Sequence, residues 1–198
     1  GNVYVAKYFD SIEKFDADGK FVIDWGEYDS APLTDGKFRH TMGIDIDSAG
    51  NIYVSDKENG RIQKFTGMGS YISSIIVSTP EVNGVAIDSH DNVYVVNGEG
   101  TIEKYSPLGV LLETWNNNPG DMIAVAPNGN IHLSRFMDKE IVEYNVQGNI
   151  VGGHAVPYYP LGIEVDNDGN IWVSAYDKSK IYKYSVRGVH LDVFGSNG

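Results

Sequence analysis

The fold is decided by the stretch Gly43-Ile44-Asp45-Ile46-Asp47-Ser48-Ala49-Gly50-Asn51-Ile52-Tyr53-Val54. Apolar and polar residues alternate on both sides of its Gly-Asn turn, which is typical of a tight β-hairpin. The second half of the stretch recurs with its Asn at positions 2, 51, 92, 130 and 170, spaced 49, 41, 38 and 40 residues apart. This spacing predicts a repeat built from four-stranded blades, as in a β-propeller.

Each copy divides into four short runs with period-two patterning that are rich in Val, Ile, Tyr and Phe. The third run, for example, lies at residues 12–15, 62–65, 102–105, 141–144 and 181–184. No window of eleven or more residues has helical periodicity. We therefore predict an all-β fold of four-stranded antiparallel blades, because stacking blades around an axis buries both faces of each sheet.

The repeats predict one propeller domain over residues 1–198, with blades at about 1–27, 41–77, 82–115, 120–153 and 160–195. Only the first blade lacks its first strand, so four complete blades follow one of three strands. An unpaired inner edge would expose backbone donors and acceptors. Three arrangements would resolve this. The chain is a segment of a larger, six-bladed propeller, or a neighbouring chain donates a strand, or a five-bladed ring tolerates the short blade.

The composition restricts the partners. The 198 residues include 27 acidic and 15 basic side chains, for a formal net charge of −12. This charge would repel a nucleic-acid backbone, so we expect no nucleic-acid partner. The chain has no cysteine, which excludes disulfides and thiolate metal sites. The apolar runs are only a few residues long, and we expect no direct membrane insertion.

Residues 43–65 carry the longer pattern Gly-Ile-x-x-Asp-x-x-Gly-Asn-Ile-Tyr-Val-x-Asp, followed by Asn-x-Arg-Ile-x-Lys-Phe. This pattern resembles the NHL repeat, a family of β-propellers, and the looser copies extend the resemblance over nearly the whole chain. The resemblance implies a propeller fold. It does not assign a function, because this fold hosts unrelated activities.

Two activities of the family bear on this chain. The peptide-amidating lyases look similar at the level of the repeat and hold zinc with histidines from different blades. Other NHL domains bind RNA through a basic, aromatic face. Of the loop arginines of that face only Arg61 is present here, and its counterparts are Ser11, Thr101, Glu140 and Lys180. This departure and the acidic charge argue against RNA binding.

Aromatic residues in the predicted loops mark a binding face. In a propeller the loops between strands two and three share one face with the loops between blades, and loops carry function while strands carry packing. Aromatics in these loops would supply an interface for a protein or a glycan. The candidates are Tyr8, Phe9, Phe136 and Tyr176 in the first set of loops, and Trp115, Tyr158 and Tyr159 in the second. Each could instead pack on its own blade, and for Trp115 we favour that interpretation.

Two carboxylates on the predicted inner strands form a candidate metal site. Asp45 and Glu164 occupy the same first-strand position, where the other blades have Ala86 and Ala124, and two carboxylates facing the axis could bind a cation such as calcium. The turn at 166–170 resembles a calcium loop, but hairpin geometry explains it. The five histidines (His40, His90, His132, His154 and His190) do not repeat in register, which argues against zinc.

The sequence thus favours a noncatalytic propeller that binds a protein or a glycan and takes part in assembly, in the extracellular space or the cell envelope, without a cofactor. One alternative is a metal-dependent lyase or hydrolase with calcium or zinc at the mouth of the channel. The other is a fibre or surface-layer subunit that self-assembles through its incomplete blade.

Overall fold

The computed structural model of the protein describes residues 1–7, 10–31, 33–97, 99–116 and 120–195. Over this part of the chain it contains nineteen β-strands and one short 3₁₀ turn, Lys57–Asn59. The strands are β1 (Val3–Lys7), β2 (Ser11–Phe15), β3 (Phe21–Trp25), β4 (Thr41–Ile46), β5 (Ile52–Asp56), β6 (Arg61–Phe65), β7 (Tyr71–Ile76), β8 (Val82–Ile87), β9 (Val93–Asn97), β10 (Ile102–Tyr105), β11 (Leu111–Trp115), β12 (Met122–Val125), β13 (Ile131–Arg135), β14 (Glu140–Tyr144), β15 (Ile150–Ala155), β16 (Pro160–Val165), β17 (Ile171–Ala175), β18 (Lys180–Tyr184) and β19 (His190–Phe194).

The strands form five antiparallel meanders, so the predicted all-β propeller fold is confirmed. Blade 1 has the three strands β1-β2-β3, and blades 2 to 5 have four strands each, β4–β7, β8–β11, β12–β15 and β16–β19. No helix in the described ranges has the length and apolar character needed to cross a membrane.

The first hairpin of blade 2 shows how the repeated Asp-x-x-Gly-Asn motif makes its turn. Gly50 has a φ of 81°, a left-handed conformation that favours glycine. Its N–H donates to the Asp47 carbonyl at 2.9 Å. The Asp47 carboxylate accepts the Asn51 backbone N–H at 2.8 Å and the Asn51 side-chain amide at 2.9 Å. The motif therefore fixes the turn and orients the second strand.

The core lies between blades. Tyr53 of β5 packs with Val85 and Val95 of blade 3, and the same kind of cluster joins each later pair of blades. Inner strands approach so closely that a Cβ on Gly43 would lie 2.7 Å from the Val85 backbone nitrogen. Glycine is needed there because a side chain would clash with the neighbouring backbone.

The blades follow one another around the axis. The inner strands pack in the order β1, β4, β8, β12, β16, and among the described strands no contact of similar extent joins β16 to β1. Val3 and Val5 of blade 1 are exposed, as are Ile181 and Phe194 of blade 5. Blades 1 and 5 therefore each present one partly apolar sheet face without a neighbouring blade.

Candidate ligand site on the loop face

Three of the predicted aromatic residues meet on the loop face of blades 4 and 5. Phe136 lies in the β13–β14 loop, Tyr159 precedes β16, and Tyr176 lies in the β17–β18 loop. The centroid of the Phe136 ring is 5.0 Å from that of Tyr159 and 5.5 Å from that of Tyr176. Tyr176 is 69% exposed, so part of this aromatic surface faces solvent.

Backbone contacts hold the aromatic surface in place. The Phe136 N–H donates to the Asp121 carboxylate at 2.7 Å. The Tyr176 N–H donates to the Tyr159 carbonyl at 3.0 Å. The Lys139 ammonium lies 4.1 Å from the centre of the Tyr159 ring, a cation–π contact. The rings are thus positioned before any ligand arrives, which lowers the entropy lost on binding.

Beside the aromatic surface lies a cavity of about 220 Å³ between blades 3 and 4. Its lining includes Asn83, Asn97, Asp121, Arg135 and Phe136. Asn83 Oδ1 and Asn97 Nδ2 are buried and have no hydrogen-bond partner. Buried polar atoms are almost always paired, so these two amides indicate a place where a polar group binds.

The sequence did not single out the two amides. Asn83 is the second residue of the first strand of blade 3, and Asn97 closes the second strand, a position at which asparagine is common for reasons of turn geometry. Asn97 does use its side-chain oxygen in this way, since Oδ1 accepts the N–H groups of Glu99 and Thr101, both at 3.1 Å. Only the contacts in the structure show that the Nδ2 of Asn97 has no hydrogen-bond partner.

Two of the candidate binding residues pack between blades, as the favoured interpretation of Trp115 predicted for that residue. Tyr158 is fully buried, its hydroxyl hydrogen-bonds to that of Tyr184 at 2.9 Å, and its ring stacks on Tyr182. Trp115 packs against the Tyr94 ring and against Gly148 of blade 4. Both lie where an aromatic residue closes the contact between blades. The other two candidates, Tyr8 and Phe9, lie outside the described residues.

Asp45 and Glu164 lie on the inner strands β4 and β16, close enough to interact electrostatically. Burial, and then the negative charge of Glu164, raise the pKa of Asp45 to about 7. The Asp45 carboxylate accepts the N–H of Ile46 at 2.7 Å and that of Ile87 in blade 3 at 2.6 Å. The Glu164 residue is exposed to solvent. Partial burial of its carboxyl group by the surrounding strands nevertheless raises its pKa. The structure thus brings together the two predicted carboxylates.

Two of the five histidines lie near each other in the structure. His132 and His154 both line a cavity between blades 4 and 5. Within the described part of the chain, however, no three His, Cys, Asp or Glu side chains are placed to hold a metal ion together. A cation at Asp45 and Glu164 would therefore take its remaining ligands from water or substrate, as oxygen-preferring cations commonly do.

Arg61, the one remaining loop arginine, is a structural residue. It is 1% exposed, and its Nε donates to Asp56 at 2.7 Å. Its Nη2 donates to the carbonyls of Thr34 at 2.7 Å and Lys37 at 3.0 Å. The guanidinium is enclosed by protein, so it offers no surface for a nucleic-acid phosphate.

Comparison with known proteins agrees with this architecture. The NHL repeat matches residues 43–65, which confirms the predicted resemblance over those residues. A stretch of 131 residues is 33% identical to peptidyl-glycine alpha-amidating monooxygenase B of Xenopus laevis, covering 62% of this chain and 15% of that protein. The chain therefore spans about one seventh of that relative.

Among solved structures, streptogramin B lyase superposes with a TM-score of 0.71 at 16% identity, over 98% of this chain and 65% of that one. Virginiamycin B lyase from Staphylococcus aureus gives a TM-score of 0.69 at 17% identity, over 98% of this chain and 66% of that one. At such identities the likeness shows the propeller fold alone.

Proposed function

We propose that the chain is a noncatalytic propeller module, in the extracellular space or the cell envelope, that binds a glycan at the loop face of blades 3 to 5. The observation that carries this proposal is the unpartnered amide pair, Asn83 Oδ1 and Asn97 Nδ2, beside the aromatic residue Phe136. A hydroxyl group both donates and accepts a hydrogen bond. One sugar hydroxyl could therefore satisfy both amides at once.

The aromatic surface supports the same ligand class. Phe136, Tyr159 and Tyr176 continue from the cavity towards solvent, and an aromatic face packs well against the C–H face of a sugar ring. A polypeptide would use these rings too, and its Ser, Thr and Tyr hydroxyls also donate and accept. A glycan is favoured because its hydroxyls surround the same ring whose C–H face packs on an aromatic side chain.

An array of immobilised neutral glycans, probed with the wild-type protein, tests the proposal. The double variant Phe136→Ala/Tyr176→Ala should weaken binding at least tenfold, because each ring supplies contact area that alanine lacks. Asn97→Ala should do the same by removing the amide. The control is Phe21→Ala, an aromatic residue 50% exposed on β3 of blade 1, which should bind like wild type. Absence of glycan binding, or equal binding by the double variant, would overturn the proposal.

The acid pair at the axis favours a second candidate, a metal-assisted lyase or hydrolase. Its support is the electrostatic interaction of Asp45 with Glu164, together with the similarity to a protein named as an amidating monooxygenase. This candidate predicts that purified protein binds calcium or zinc in equilibrium dialysis and that Asp45→Asn/Glu164→Gln loses the ion. If neither ion binds, the candidate fails and the glycan proposal is untouched.

A further inference from the structure

Blade 4 breaks a side-chain pattern that the other four blades keep. In those blades an aromatic residue on the second strand lies opposite a lysine on the third, and the lysine nitrogen sits 4.5–5.4 Å from the ring centre. The pairs are Tyr4–Lys14, Tyr53–Lys64, Tyr94–Lys104 and Trp172–Lys183. In blade 4 the same register pairs His132 with Glu143.

A second exchange in blade 4 moves a carboxylate. In blades 2, 3 and 5 the turn asparagine donates to a turn aspartate, as Asn51 does to Asp47 at 2.9 Å. The corresponding residue of blade 4 is Ala126, and Asn130 donates instead to Glu143 at 2.6 Å. In blade 4 the carboxylate that binds the asparagine therefore lies on the sheet opposite His132 and not in the turn.

A third exchange adds another imidazole. His154 on β15 pairs with Ile141 at a position where blades 1, 2, 3 and 5 have Trp25, Ile75, Trp115 and Phe194. His154 faces the same space as His132 and packs on the Tyr184 ring of blade 5 at 4.9 Å. Two imidazoles and a carboxylate therefore replace the apolar and cationic groups of the other blades.

The three groups line a cavity of about 290 Å³ between blades 4 and 5. His132 is 1% exposed, yet neither of its ring nitrogens has a hydrogen-bond partner, and the buried Nε2 of His154 has none either. His132 Nε2 lies 4.0 Å from Glu143 Oε1, which is too far for a hydrogen bond. Blade 4 therefore has a polar site in which buried imidazole nitrogens have no hydrogen-bond partner within the protein.

The equivalent groove between blades 2 and 3 provides an internal comparison. It encloses about 350 Å³ and is lined by Tyr53, Lys64 and Ile75 at the matching positions. There the lysine covers the ring and pairs with Asp47 at 2.9 Å. The groove itself is therefore a feature of the propeller, and the unsatisfied polar floor is a feature of blade 4.

The chemistry of the cavity selects a class of ligand. Burial lowers the pKa of both His132 and His154, so the imidazoles are neutral and each offers a nitrogen acceptor. With the Glu143 carboxylate they make three acceptors, and an ammonium group has three N–H donors. The exposed Arg187 at the rim would pair with an anion, and Ile141, Ile171 and Val186 supply apolar walls.

We propose that the cavity between blades 4 and 5 binds a free aliphatic α-amino acid. The ammonium group lies on the floor formed by His132, His154 and Glu143, and the carboxylate faces Arg187 at the rim. This site is separate from the loop face, since its lining comes from β13, β14, β15, β17 and the β18–β19 turn and shares no residue with the loop-face cavity. Within the described residues no three His, Cys, Asp or Glu side chains are placed to hold a metal ion, whereas an ammonium group can donate to two of these acceptors directly and reach the third through a water molecule.

Calorimetric titration with three matched compounds tests the proposal. L-valine carries both charged groups, isobutylamine lacks the carboxylate, and isovalerate lacks the ammonium. We expect L-valine to bind at least tenfold more tightly than either of the others, since each charged group has its own partner in the cavity. Arg187→Gln should weaken L-valine at least fivefold and leave isobutylamine unchanged.

The matched control variant is His132→Tyr/Glu143→Lys, which restores the pair of the other four blades and should abolish binding while keeping the fold. If this variant does not fold, His154→Phe, the residue of blade 5 at that position, should weaken L-valine at least tenfold. Absence of binding by L-valine, equal binding of the three compounds, or full binding by the folded variants would each overturn the proposal.

Discussion

Arg61 and Asp56 form a buried ion pair across the β5–β6 loop of blade 2, with Nε and Oδ2 2.7 Å apart and both side chains almost completely enclosed. Asp56 also accepts a hydrogen bond from Gln63 at 3.1 Å, and Arg61 donates to two backbone carbonyls of the segment between blades 1 and 2. The pair therefore ties that segment to blade 2. Removing one partner would leave an uncompensated buried charge.

Arg61→Met should lower the free energy of unfolding by about 3–5 kcal/mol, measured by urea denaturation with tryptophan fluorescence. The control is Lys7→Met, which breaks the ion pair of Lys7 with Glu13 at 2.8 Å, where the side chains are 44% and 26% exposed. Pairs in such positions contribute about 1 kcal/mol or less. Similar losses in the two variants would contradict the structural role of Arg61.

The sequence predicted the blades well because strand period and turn chemistry are local properties. The Gly50-Asn51 turn and the alternation around it need no tertiary information. The sequence also indicated that Asp45 and Glu164 lie at the same depth along the axis, because residues in equal register on different blades of a propeller lie at equal depth. The role of Tyr158 could not be assigned from the sequence, since the same sequence pattern is expected for a loop aromatic residue that faces solvent and for one that packs against Tyr182.

The histidine site was missed for a different reason. His132 and His154 do not repeat in register with any other histidine. A search for histidines at the same position in different blades therefore could not detect the site. The site could have been detected from a paired substitution in blade 4. His132 occupies the position of the aromatic residue on the second strand, and Glu143 occupies the position of the lysine opposite it on the third strand. Such paired departures from a repeat are visible in sequence once the strand register is known.

The core position of Tyr158 predicts the effect of removing its hydroxyl. Tyr158→Phe loses the hydrogen bond to Tyr184 at 2.9 Å and leaves that hydroxyl buried without a partner. We expect a loss of about 1–3 kcal/mol in urea denaturation and no change in binding to the glycan array. The matched control, Tyr176→Phe on the exposed ring, should leave stability unchanged. Lost binding in Tyr158→Phe with unchanged stability would return Tyr158 to the ligand site.

The Asp45–Glu164 pair predicts a pH dependence of stability. The folded-state pKa of Asp45, about 7, lies above its ordinary value of 3.8, so folding favours the protonated form. Its contribution is fully present below pH 4 and is lost as the pH rises through 7. Asp45→Asn cannot ionise, so it should gain stability relative to wild type between pH 4 and pH 8. The stability curve of the exposed Asp18→Asn should run parallel to that of wild type, and a parallel curve for Asp45→Asn would show that burial and the charge of Glu164 do not raise the pKa of Asp45.

His132 and His154 predict the opposite slope at lower pH. Burial lowers the folded-state pKa of both imidazoles below the ordinary 6.5, so the unfolded chain binds protons that the folded chain does not. Stability is therefore fully present above pH 6.5 and falls as the pH drops below it, by at most about 1.4 kcal/mol per pH unit for each histidine. The charged groups that line the cavity with these histidines are Glu143 and Arg187. His132→Tyr/Glu143→Lys should flatten the curve between pH 5 and pH 6.5, and the exposed His90→Gln should not. Equal slopes in wild type and the double variant would mean that His132 binds its proton equally well in the folded and unfolded states, which would contradict a pKa lowered by burial.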